Sequence, residues 1–157
     1  MESTKTLVLG IGNEILTDDG IGPRLIKKLP GVIGWNDIKY SVACCGGLDV
    51  MEYIQGYNKV ILIDAIRTPY GEPGSVYHFT LSDFRETSNL SNLHDVSFIT
   101  ALHLGNILEM DLPSDLHIIA VEIIEDREFS ENLTPALEKK FTEILNRITE
   151  LIRTITG

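Results

Sequence analysis

The amino-acid sequence predicts an α/β domain on a mostly parallel sheet, and three stretches carry that prediction. Leu7, Val8 and Leu9 form an unbroken apolar run closed by Gly10, as a strand buried on both faces would. The pattern then turns helical, with Ile21, Leu25, Ile26 and Leu29 at spacings of three and four. Residues 59–66, KVILIDAI, form a second fully apolar strand with a single acid, Asp64, near its end. Strand, helix and buried strand in succession imply parallel pairing. In such sheets ligands bind where the chain leaves the carboxyl end of a strand.

The remaining elements follow in order. Pro30 and Gly31 are expected to stop the first helix, and residues 38–44 read as a second strand after a polar turn at Asn36 and Asp37. Leu48, Met51 and Ile54 line a short helix that Gly56 ends. The connection 67–74 is too short for a crossover helix, so the strand expected over 75–81 should run antiparallel, at an edge. A polar segment, 82–93, then carries the chain back across the sheet to a helix opened by His94 and Asp95, with Val96, Ile99, Leu102, Ile107 and Leu108 as its apolar stripe. Residues 115–124 give a fifth strand. Thr134 and Pro135 start a final helix bearing Leu137, Phe141, Leu145, Ile148, Ile152 and Ile155 on one side.

Composition narrows the function. With 157 residues and 43% hydrophobics the chain suits one domain, 1–157, with a real core. A net charge of −10 without a basic cluster argues against nucleic acid and anionic membranes as partners. No apolar leader or membrane-length run is present, so a cytoplasmic protein is expected. Cys44 and Cys45 match neither a zinc knuckle nor a CxxC motif and read as buried structural thiols.

The loop after the first strand, GIGNEILTDDGIG, decides among chemistries. After Gly10 and Gly12 the third position of a dinucleotide fingerprint is Ile15, and no lysine is there to hold a phosphate. One of Asp18 and Asp19 is expected to cap the helix. One cap does not account for two acids. Asp64 closes a central strand, where an ionised carboxylate is costly unless a donor, water or a cation meets it. His94 opens a helix at the same end of the domain. Two carboxylates and an imidazole, Asp19, Asp64 and His94, suit a borderline divalent ion such as nickel, zinc or cadmium, and so sparse a set suits reversible capture. Glu122, Glu125 and Asp126, further acids near the exit of the fifth strand, are candidates for the border of the same site, with a solvated loop the favoured reading for the last two. His78 and His117 read as surface or satisfied strand residues and His103 as packing. No Gly-x-Ser-x-Gly elbow or Cys-His arrangement supports a serine or cysteine nucleophile.

Taken together, GIGNEILTDDGIG, the IDA that ends the third strand and HDVSF at the helix start resemble the maturation endopeptidases of nickel-iron hydrogenases. The similarity runs over nearly the whole chain, including NLTPALEKK near its end. The resemblance implies a three-layer α/β/α fold (phosphorylase/hydrolase-like) with a five-stranded mixed, mostly parallel sheet. It further implies a monomeric peptidase that trims the C-terminal extension of a nickel-loaded hydrogenase large-subunit precursor. Nickel held by the precursor would be the recognition element, and the two acids and histidine of the family fall on Asp19, Asp64 and His94, as catalytic and metal-contacting residues. Cys44 and Cys45 depart from the Gly-Thr pair common in the family. A non-catalytic metal- or precursor-binding module would use the same three residues, and a small nucleotide-binding domain is the other alternative.

Overall fold

The computed structural model describes residues 5–34, 37–44, 48–80, 82–83 and 106–157. Five strands form one sheet: β1 (Thr6–Ile11), β2 (Ile38–Ala43), β3 (Lys59–Ile66), β4 (Val76–Thr80) and β5 (Asp115–Glu122), in the order β2-β1-β3-β5-β4. All neighbours pair in parallel except β4, which runs antiparallel to β5 at the edge, as the short connection before it requires. The chain moves from β1 outward to β2 and back past β1 to β3. The winding therefore reverses between β1 and β3, which leaves a crevice at their carboxyl ends.

Helices α1 (Ile21–Ile33) and α3 (Pro135–Thr156) cover one face of the sheet and α2 (Leu48–Ile54) packs on the other. Alternate residues of each strand serve the two layers. Ile61 and Ile63 of β3 join Ile21, Leu25 and Leu29 of α1, whereas Val60 and Leu62 join Met51 and Ile54 of α2. Along α3 the stripe expected from the sequence is buried at Leu137, Ile148 and Ile152, and Ile144 joins it. Each such side chain contributes about 1.5–3 kcal/mol by leaving water.

Several local expectations are corrected. Pro30 does not stop α1: the helix runs through it to Ile33 and closes where the Gly34 N–H bonds the Pro30 carbonyl at 3.0 Å. Proline costs the helix the bond its own N–H would have donated, and one turn from the end the buried Leu29 outweighs that loss. Strands β2 and β5 are one and two residues shorter than read, and β4 begins at Val76, one residue later; Leu81, read as its end, lies outside the described residues. Ile107 and Leu108, expected on a buried stripe, are exposed. Cys44 is a free, exposed thiol just past the end of edge strand β2, so the expectation of burial fails for it; Cys45 lies outside the described residues. No described helix is long and apolar enough to cross a membrane.

Candidate functional site

The β1–α1 loop is folded by steric necessity. Gly12 has φ +151°, and a Cβ there would stand 2.0 Å from the Asp19 carbonyl oxygen, so only glycine lets the loop double back on itself. A Cβ on Gly22 would lie 2.8 Å from the carbonyl oxygens of both Ile11 and Ile63, so the first turn of α1 is wedged between the ends of β1 and β3. This wedge sets the 3-10 turn Thr17–Gly20 against β3, the strand that carries Asp64. Asp19 and Asp64 therefore belong to one end of one crevice.

Thr17 is a β-branched residue in the left-handed region (φ 53°), a conformation that persists only where its surroundings hold it. Its N–H bonds the Ser130 carbonyl at 3.0 Å and its hydroxyl donates to the Glu128 carbonyl at 2.6 Å. Leu16 and Ser130 form a short parallel bridge beside it. The kink turns the two following acids in different directions. Asp18 goes inward and is fully buried. It accepts the N–H groups of Ile124 (3.1 Å), Glu125 (3.0 Å) and Thr134 (2.8 Å), and the Thr134 hydroxyl as well.

Neither acid caps α1 through its side chain, contrary to expectation; Gly20 stands at that position. Asp18 instead holds Thr134, the residue that precedes α3, and draws the Thr134 hydroxyl away from its own helix. Asp19 is half-buried, and its Oδ2 accepts the Asn13 N–H at 2.8 Å. Asp64 is also half-buried. It shares the sheet face of Val60 and Leu62, and its Oδ1 accepts the Ala65 N–H at 2.8 Å. His94 lies outside the described residues, as does His103. Among the described residues no group of three or more His, Cys, Asp or Glu side chains could hold a metal ion.

The other acids sort themselves. Glu122 is buried rather than bordering an open site, and accepts both the N–H (2.9 Å) and the hydroxyl of Thr68. It ties down the β3–β4 connection, and the Gly74 N–H bonds its carbonyl at 2.8 Å. Asp126 pairs with Arg67 at 3.0 Å. The N–H groups of Arg127 and Glu128 bond Glu125 and hold its carboxyl below the usual range. At the opposite end of the sheet His78 and His117 satisfy each other, Nε2 to Nδ1 at 2.9 Å, while Asp115 meets His117 Nε2 at 2.7 Å.

A family model for the hydrogenase maturation protease HycI matches residues 24–151. This chain belongs to the hydrogenase maturation protease family. That match takes in Asp64 but begins after Asp19. A curated relative, the hydrogenase expression/formation protein HupD of Thiocapsa roseopersicina, is 26% identical over 153 residues, which are 93% of this chain; the chain spans 66% of that protein's length. Among solved structures, the hydrogenase maturating endopeptidase HybD from E. coli superposes with a TM-score of 0.74 at 22% identity, covering 96% of this chain and 93% of that one. The NiFe hydrogenase maturation protease HybD from Thermococcus kodakarensis gives 0.69 at 22% identity, over 94% and 98%. The mixed, mostly parallel five-stranded sheet is thus the fold of these proteins.

Proposed function

We propose that this chain is the endopeptidase that removes the C-terminal extension of a nickel-iron hydrogenase large-subunit precursor after nickel insertion, acting as one monomeric domain in the cytoplasm. Family membership supports the reaction class. The observation that carries the site is the wedge of Gly22 between Ile11 and Ile63, which brings the Asp19 turn to the strand end that bears Asp64. Both carboxylates are half-buried where a parallel sheet receives its ligand. Asp19, Asp64 and His94 would meet the precursor's nickel, and oxygen and imidazole donors suit that borderline ion or zinc or cadmium in its place. Only a loaded precursor would gain those bonds, so binding tests for metal.

In the cleavage itself, the oxygen of water attacks the scissile carbonyl carbon and the C–N bond breaks. A site carboxylate takes one proton from the water and returns it to the departing amine. Asp19→Asn and His94→Ala should each slow trimming about 100-fold or more while the domain stays folded. The check is to incubate each variant with nickel-loaded precursor and weigh the large subunit by mass spectrometry. Wild-type trimming by both variants would remove these residues from the mechanism. Precursor bound by the wild type but never shortened would favour a non-catalytic maturation module.

A further inference from the structure

His78 and His117 come from different strands and meet at the edge of the sheet. β4 and β5 pair antiparallel with Thr80 opposite His117 and His78 opposite Ile119, so the two imidazoles are diagonal neighbours on one face. Their ring centroids are 5.1 Å apart, and Nε2 of His78 stands 2.9 Å from Nδ1 of His117. Asp115 meets the other nitrogen of His117, Nε2, at 2.7 Å. A carboxylate there holds the proton on Nε2, so a neutral His117 turns the bare lone pair of Nδ1 toward His78. Folding thus joins two histidines 39 positions apart and a carboxylate into one row that no local motif announces.

That row has the form of a supported metal ligand: one ring nitrogen faces the ion while the other donates to a carboxylate, which fixes the tautomer and raises the basicity of the ring. The spacing decides which geometry it suits. Two nitrogens 2.9 Å apart, each about 2.1 Å from a shared ion, subtend about 90° at it, the cis angle of a square-planar or octahedral ion. A tetrahedral ion would need them about 3.4 Å apart. The surrounding charge favours a cation. Asp83 is close enough for its charge to act on His78, and Asp115 lies on His117. Against these two carboxylates stands Lys59, 3.7 Å from Asp115, whose Nζ also donates to the Ile155 carbonyl at 2.7 Å. His78 is exposed, so water has access to complete the coordination of an ion held there.

We infer that His78 Nε2 and His117 Nδ1 form a two-histidine site for a divalent ion of the nickel(II) or copper(II) kind, with water in the remaining positions and Asp115 behind His117. To admit the ion, His78 moves its proton from Nε2 to Nδ1, and the hydrogen bond between the rings gives way to two metal–nitrogen bonds. The ion clips edge strand β4 to β5. It lies at the opposite end of the sheet from Asp19 and Asp64, and is therefore separate from any nickel that a precursor brings.

The test titrates nickel(II) chloride into the metal-stripped full chain by isothermal calorimetry at about pH 7.5, where both imidazoles are neutral. His78→Gln and His117→Gln should each lose one bound equivalent that Asp19→Asn keeps. Asp115→Asn should retain that equivalent but bind it about tenfold or more weakly, because His117 loses the carboxylate behind it. Nickel should raise the urea midpoint of the wild type and leave that of His78→Gln where it was. His78 is exposed on an edge strand, so its variant folds even if His117→Gln does not. Equal binding by the wild type and His78→Gln places the ion elsewhere, on Cys44 or the acids of the crevice, and overturns the inference. So does an equivalent lost in Asp19→Asn and kept in His78→Gln, or a wild type that binds no nickel at all.

Discussion

Asp18 and Asp19 are adjacent in sequence, yet Asp18 is wholly enclosed and accepts N–H groups from residues 106 and 116 positions away, whereas Asp19 is half-buried and takes the N–H of Asn13, 6 positions back. The same contrast recurs one strand apart. Buried Glu122 binds Thr68, 54 positions away, and half-buried Asp64 takes the N–H of the residue that follows it. Long-range donors and full burial mark carboxylates that hold loops together. Partial exposure, with an N–H bond from nearby in the chain, is the state of the two carboxylates proposed to meet the precursor. The four acids share one end of the sheet, and burial separates the two anchors from the two candidate reagents.

The sharpest way to break this comparison is to remove each neighbour in turn. Asp18→Ala would leave the N–H groups of Ile124, Glu125 and Thr134 without their acceptor in an enclosed site, and should cost about 3–5 kcal/mol of stability in urea unfolding. Asp19→Asn should cost less than about 1 kcal/mol in the same experiment, since the residue is only half-buried and the amide keeps an oxygen for the Asn13 N–H. Equal losses from the two substitutions would erase the distinction.

A smaller effect is expected at Glu122. Glu122→Gln keeps one carbonyl oxygen for the Thr68 N–H but gives up the charge that strengthens both Thr68 bonds, worth about 1–2 kcal/mol. The loosened segment is the β3–β4 connection, so limited trypsin digestion should cut after Arg67 sooner than in the wild type. A digestion pattern that does not change would mean that Gly74 and Ser75 hold that connection through their backbone bonds to Glu122 without the side chain.

How much of this was legible in the sequence follows the same division by range. β3 was read to its ends, and the antiparallel edge strand followed from the length of the connection, because apolar runs and short linkers are local signals. The positions of Asp19 and Asp64 followed from local signals as well, since Asp64 lies near the close of an apolar strand and Asp19 in the glycine-bearing loop that follows one. The anchoring role of Asp18 was not, because its partners lie across the chain and nothing near Thr134 announces them. Glu122 was placed at the site's border for the same reason: its position at a strand exit is local, whereas Thr68 is not. Pro30 misled because burial of its neighbour Leu29 overrides a helix-breaking preference one turn from the end. His94 falls outside the described residues, so its convergence with Asp19 and Asp64 rests on sequence alone.

The smallest effect lies at the other end of the sheet, where the titratable cluster is closed on itself. His78 donates to or accepts from His117, which in turn meets Asp115, and burial followed by the charge of His117 lowers the His78 pKa while Asp83 opposes them. The folded chain therefore binds fewer protons at His78 than the unfolded chain does. Its contribution to stability is present above the unfolded value of about 6.5 and is lost as pH falls through the lower folded value. Glu125, also lowered, acts in the same direction but only in the more acidic carboxylate range, so the two windows separate. Urea midpoints measured on either side of about pH 6.5 should fall on acidification, and His78→Gln should flatten that fall while leaving trimming of the precursor unchanged. A slope that survives the substitution would assign the proton to another group. A loss of trimming would mean that the two ends of the sheet are coupled, against the division of labour that the carboxylates suggest.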